Sequence, residues 1–233
     1  MLAAFFWLSG SDDDPVSERR PAQLVAEVIA WDDYRLLVRP GERLAMRAAP
    51  GGEVARRVAD RTEFGSRESL LPTGERQGSW LEVRHTSLGN SGRGWIDLRA
   101  APLELAPRTV ELEIDLSNRQ LLVYERGRRE RARSISVAIG APVTPTPPGV
   151  YYVTDKLRGA DYGSFYGCCI LALSGRQPNL PRGWSGGDRL AIHGSPTPTW
   201  GKNVSNGCLH ARESDLRYLM KVVPLGTLVT VRA

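Results

Sequence analysis

The chain has 233 residues, 41% hydrophobic and 24% charged, enough for one large globular domain or two small ones with cores of their own. The net charge of +5 and pI near 9.4 favour anionic partners only weakly. The three cysteines and three histidines show no CxxC or HxxxH spacing, which argues against a metal-ligand motif and a disulfide framework.

The opening MLAAFFWLSGSDDDP has an apolar run of about eight residues, well short of the roughly 20 that cross a bilayer, so no stable membrane span is expected. It resembles the end of a secretory h-region without a basic n-region or an Ala-x-Ala cleavage site. Residues 1–23 therefore read as a disordered lead, the remnant of an export signal. From 24 to 105 short β-like segments follow at about ten-residue intervals: LVAEVIAW, RLAMRAAP, EVARRVA, SWLEVRH and GRGWIDL. This spacing fits a small β-barrel. A longer stretch, DRTEFGSRESLLPTGERQG, interrupts the pattern, and His85 reads as a surface residue. The run RLAMRAAPGGEV, then GSWLEVRH, then GRGWIDLRAAPLEL resembles the bacterial Src-homology-3-like domain. Trp80 and Trp95 would then be core or groove aromatics, core first.

LAPR (105–108) reads as a linker, and 106–233 as a second domain. In TVELEIDLSNRQLLVYERG, Val110, Leu112, Ile114 and Leu116 alternate with Glu111, Glu113 and Asp115, the period of a strand with one buried face. SNRQ turns the chain, LLVYE returns, and ERGRRERAR (125–133) turns it toward SISVAIG, giving a β-meander. That arginine-rich stretch is a solvated turn, and no nucleic-acid-binding signature accompanies it. In YGCCILAL, Cys168 and Cys169 read as small buried core residues. The only long helical pattern is ESDLRYLMKVVPLG, where Leu216, Leu219, Met220 and Val223 form one apolar face ended by Pro224 and Gly226. TLVTVR closes with a strand.

The remaining signal is IHGSPTPTWGKNVSNGCLH (192–210), polar, rich in Gly and Pro, and holding a histidine and a cysteine 208 − 193 = 15 positions apart. A thiol attacks carbonyls as thiolate, and only about a few per cent of a free thiol is ionised at neutral pH; a neighbouring imidazole can take that proton. Gly207 before Cys208 permits a tight turn, and N–H groups of such a turn are candidate oxyanion donors. This stretch resembles the L,D-transpeptidase catalytic domain, which carries H-G/S followed by S/T-x-G-C-h-R/N. The likeness extends to IDLSNRQLLVYERGRRERARSISVAIGAPVTPTPPGVYYV, with its G-x-x-x-x-P-T-P-x-G ending, and to ESDLRYLMKVVPLGTLVTV, so that it covers 109–232.

The resemblance implies a mainly β chain: a small N-terminal barrel followed by an L,D-transpeptidase-type β-sandwich or barrel with a short helix after the cysteine. It implies Cys208 as nucleophile, His193 as base and the Gly194 carbonyl as the group that orients the imidazole, with Ser205 and Gly207 shaping the turn. Asn206, His210, Trp184 and Trp200 are candidate substrate-binding residues, and the resemblance implies no metal and no diffusible cofactor. Asn206 stands where His is frequent and His210 where Arg or Asn is usual; His210 is also an alternative base. The implied substrates are peptidoglycan stem peptides, joined into 3→3 cross-links outside the cytoplasm in support of cell-wall biogenesis and cell shape, and carbapenem-type inhibitors would acylate the thiol. An L,D-carboxypeptidase or endopeptidase using the same thiol, and a non-catalytic wall-binding protein, are the alternatives. The segment 156–190 reads either as a lid or donor-site wall or as a plain loop connection.

Overall fold

Two sheets organise the chain in its computed structural model, which describes residues 30–233; the expected lead over 1–23 and most of LVAEVIAW lie outside them. The first sheet has seven strands: β1 Tyr34–Val38, β2 Arg43–Arg47, β3 Val54–Ala59, β4 Ser69–Gln77, β5 Trp80–Arg84, β6 Gly94–Asp97 and β7 Leu103–Pro107, in the order β3-β2-β6-β5-β4-β1-β7. Its core gathers Leu36, Leu44, Met46, Leu70, Leu81 and Ile96 among others.

Three expectations change here. The interrupting stretch 60–78 contains strand β4, which pairs with β1 and β5; Pro72 and Gly74 hid it, and they sit where the β4–β5 register shifts, a place that tolerates both residues. Ahead of β4 a small hairpin is closed by the Arg61–Arg67 bridge. The expected linker is the end of β7, with Leu105 and Ala106 buried. Trp80 and Trp95 are half-buried and stand outside the core cluster, because Leu81 and Ile96 beside them take the inward positions of a period-2 strand.

The second sheet contains β8 Val110–Asp115, β9 Gln120–Glu125, β10 Arg133–Ser136, β12 Gly149–Arg158, β13 Cys169–Arg176, β14 Arg189–His193, β16 Leu209–His210 and β17 Leu228–Arg232, in the order β10-β9-β8-β17-β12-β13-β14-β16. The expected meander forms β10-β9-β8. Two short strands, β11 Ile139–Gly140 and β15 Asn203–Ser205, pair with each other. Helix α1, Glu213–Val222, buries Leu216 and Leu219 fully and packs against β13; Val223, just past its end, is also fully buried. No helix among the described residues is long and apolar enough to cross a membrane.

The sheets are docked by specific bonds. The Arg35 guanidinium donates to the Pro107 carbonyl of its own sheet at 2.9 Å and across to the Leu225 carbonyl at 2.8 Å. The Asn90 amide exchanges two hydrogen bonds with the Arg176 backbone, at 2.8 and 2.7 Å, extending β13 as a neighbouring strand would. His85 is buried rather than on the surface: its ring accepts the Ser87 N–H, and its other nitrogen lies 3.5 Å from Glu68.

Candidate active site

Strands β14 and β16 run parallel at the edge of the second sheet, with Ile192 opposite Leu209 and His193 opposite His210. Leu190 and Ile192 enter the core, so Arg189, Ala191 and His193 share the other face. Cys208 immediately precedes β16, and the same alternation puts it on the face of His210. The two imidazoles lie 4.7 Å apart, ring to ring, and the Tyr166 ring stands 4.9 Å from His193. This face opens into a cavity of about 390 Å³, lined by His193 and Cys208 together with Phe64, Tyr162, Phe165, Gln177, Trp184 and Arg189 among others.

Nδ1 of His193 lies 2.6 Å from the carbonyl of Gly194. A carbonyl only accepts, so Nδ1 carries the hydrogen and Nε2 is left as the basic nitrogen. The residue after the histidine must be small: a Cβ at 194 would stand 2.8 Å from Gly167 Cα and 2.9 Å from the Tyr166 carbonyl, which accepts the Gly194 N–H. Burial holds His193 down to about 4, helped by the neighbouring His210 and partly opposed by the Gly194 carbonyl. Burial likewise pushes the Cys208 thiol up to about 11, and the thiol faces the Arg189 carbonyl at 3.8 Å. The resting pair is thus a neutral thiol and a neutral imidazole, not the ionised pair that a thiol with a lowered pKa would require.

The turn that carries Cys208 is tightly pinned. Ser205 Oγ accepts the Gly207 N–H at 3.1 Å and donates to the Cys208 carbonyl at 2.5 Å. That bond occupies the Gly207 N–H, which removes it from the candidate oxyanion donors. Gly207 has φ +108°, a conformation that favours glycine. Three residues that sequence reasoning missed complete the brace. The Gln177 amide is buried and donates to the carbonyls of Thr144, Pro145 and Asn206 at 3.2, 2.9 and 3.2 Å. Thr144 Oγ1 donates to the Ser205 carbonyl at 3.0 Å, and Thr146 Oγ1 to that of Gly207 at 2.9 Å. Both threonines lie in the quoted APVTPTPPG, so their importance was legible there; nothing near Gln177 in the sequence announces it.

Asn206 lines the cavity. His210 does too, with Nδ1 3.2 Å from the Thr199 hydroxyl and its pKa lowered by burial. Trp184 also lines it and is 44% exposed, whereas Trp200 is absent from its lining and lies beneath the Arg212 guanidinium. Cys168 and Cys169 are disulfide-bonded to each other, with Cys169 buried and Cys168 half-buried. Their expected place in the core holds, with Cys169 in the core cluster and Cys168 packed against it, while the bond between them was not expected: adjacent cysteines can pair without any framework. Among the described residues, no group of His, Cys, Asp or Glu side chains is placed to hold a metal ion.

A family profile for the L,D-transpeptidase catalytic domain matches residues 109–231, which is 123 of the 233 residues. YkuD of Bacillus licheniformis, named as an L,D-transpeptidase, is 30% identical over 121 residues, which cover 52% of this chain and 64% of that one. YqjB of Bacillus subtilis, similarly named, is 31% identical over 134 residues, covering 53% and 66%. The chain thus spans less than two thirds of the length of these relatives. Among solved structures, a cysteine-to-serine mutant of the Enterococcus faecium L,D-transpeptidase is 24% identical, with a TM-score of 0.40 over 53% of this chain and 50% of that one. L,D-transpeptidase 3 of Mycobacterium tuberculosis, with a faropenem-derived adduct, is 19% identical, with a TM-score of 0.42 over 60% and 73%. With more than half of its length matched by the profile, the chain belongs to the L,D-transpeptidase catalytic domain family.

Proposed function

We propose that this protein is a peptidoglycan L,D-transpeptidase that forms 3→3 cross-links through a thioester on Cys208. The observation that carries the reading is the pairing of β14 with β16. That pairing puts His193 opposite His210, two positions past Cys208, and the tautomer-fixed His193 and the pinned Cys208 line the same cavity. The family itself implies a cysteine-dependent transpeptidase.

In the first step Cys208 Sγ attacks the carbonyl of the third stem residue while its proton passes to Nε2 of His193. The Gly194 carbonyl stabilises the imidazolium that forms, through the Nδ1–H it already accepts. Collapse of the tetrahedral intermediate expels the amine of the terminal D-residue, which takes the proton from Nε2 and leaves the thioester. An amine from a second stem then attacks, its proton goes to Nε2, and Sγ departs to be reprotonated. Starting from a neutral pair keeps the thiol unreactive until a substrate carbonyl is in place. The substrate lies outside the cytoplasmic membrane, so the enzyme works there. The first sheet, read as a Src-homology-3-like module, serves to hold the wall.

Mass spectrometry of the protein with a disaccharide-tetrapeptide tests this directly. The chain should gain the donor mass less that of one free D-amino acid, and Cys208→Ala should gain nothing. A carbapenem should likewise add one mass per chain at Cys208, because its strained amide presents the same electrophile. Acylation that persists in Cys208→Ala would remove that thiol from the mechanism.

A further inference from the structure

One wall of the cavity comes from the half of the chain that carries none of this chemistry. The hairpin between Arg61 and Arg67 leaves the first sheet and lays three consecutive side chains on the second half. Thr62 Oγ1 donates to Asp155, which is fully buried on β12. Glu63 pairs with Arg189 at 2.5 Å. Phe64 lines the cavity, with Tyr162 edge-on at 6.0 Å and the Arg189 guanidinium 5.9 Å from its ring centre. Arg189 shares its strand face with Ala191 and His193, and Cys208 precedes the residue paired with Ile192. Phe64, held over the Arg189 guanidinium, thus lines the same cavity as Cys208.

We infer that Phe64 determines donor specificity by contacting the stem upstream of the bond that is cut. The inference rests on the transpeptidase reading above and gives the first sheet a part in substrate recognition. Only one residue departs beyond the cut bond, so the part of the donor that reaches Phe64 lies on its upstream side, toward the first stem residue. The aromatic edge suits the aliphatic portion of that residue, and Thr62 and Glu63 fix the ring's position.

The test pairs a substitution with a shortened substrate. Acylation of the full-length chain is followed with a tetrapeptide donor and with a dipeptide donor that retains only the third and fourth residues. Phe64→Ala should raise the half-saturating tetrapeptide concentration about tenfold while changing the maximal rate less than about twofold. It should leave the dipeptide's second-order acylation rate unaltered. Phe64→Leu, which keeps apolar volume, should fall between, and Arg56→Ala on the far strand β3 is the control. Equal losses for both donors would mean that Phe64 only holds the halves together, and no loss for either would mean that the wall does not touch substrate; each overturns the inference and leaves the transpeptidase reading intact. A wild-type protein acylated by neither donor would overturn that reading and the inference with it.

Discussion

On one side of the cavity the turn 203–208 is pinned by Gln177, Thr144 and Thr146 through neutral hydrogen bonds to backbone carbonyls. On the other side the hairpin 61–67 reaches across from another sheet and holds through Thr62 on the buried Asp155 and through a Glu63 carboxylate that is 54% exposed. On the reading proposed above, the first arrangement fixes the position of the reacting sulfur, where an error of about 1 Å can cost a hundredfold in rate. The second leaves a wall whose sequence can change without disturbing the thiol. On that reading chemistry and selectivity fall to different regions, and perturbing each region should produce effects of different size.

The largest effect belongs to Gly207→Ala. A Cβ there would stand 2.1 Å from the Gln177 Nε2, and φ +108° is strained for any L side chain. Acylation should fall at least about a hundredfold, with stability lower by about 2 kcal/mol or more. A variant that acylates at the wild-type rate would show that the turn need not be rigid.

The next effect is set by pH, and it sharpens the contrast between a charge-free reacting side and an ionic wall. His193 titrates near 4 in the folded protein and near 6.5 when unfolded, so between those values the unfolded chain binds a proton that the folded one refuses. Stability should therefore fall as pH drops from 6.5 toward 4, by about 3 kcal/mol at the limit, with buried His210 adding in the same direction. Cys208 acts at the other end: its folded pKa near 11 lies above the ordinary 9, so stability is lost as pH rises between them. Urea unfolding across pH should show both arms, with His193→Gln trimming the acid arm and Cys208→Ala the alkaline one. Acylation itself should be flat between about pH 5.5 and 9, since neither partner titrates there. A rate inflection near 7 would reveal an ionised pair and contradict the neutral one.

Gln177→Leu should cost less than Gly207→Ala, about tenfold in acylation, because the threonine bonds remain while three carbonyls lose a donor. Stopped-flow acylation with a carbapenem would measure it, and an unchanged rate would shift the burden of the brace to Thr144 and Thr146.

These braces also show where sequence reading stops. The alternation Val110-Leu112-Ile114 and the spacing Leu216-Leu219-Val223 are local signals, and both produced the expected strand and helix. His193 and Cys208 were legible because their motif is local too. Gln177 was not, since its partners lie about 30 positions away on either side and meet only after the sheet closes. Strand β4 was hidden by Pro72 and Gly74, and the burial of His85 depends on Glu68, which the fold brings beside it. What the sequence conceals here is a set of long-range polar contacts, whose energetics depend on burial and not on residue type.

Glu63→Gln should have the smallest effect. The pair with Arg189 joins an exposed carboxylate to a guanidinium that keeps hydrogen bonds to Thr154 Oγ1 and the Leu173 carbonyl, both at 3.3 Å. Arg189 itself is only 10% exposed, but a glutamine keeps an oxygen that accepts its N–H, and those two bonds remain, so the loss should stay near about 1 kcal/mol. Because one partner is in water, that loss should shrink further at about 1 M salt, where the screening length is near 3 Å. Thermal melts at low and high salt would measure both. A loss of several kcal/mol, insensitive to salt, would show that the hairpin wall is as firmly built as the turn opposite, and the division between rigid chemistry and adjustable selectivity would not hold.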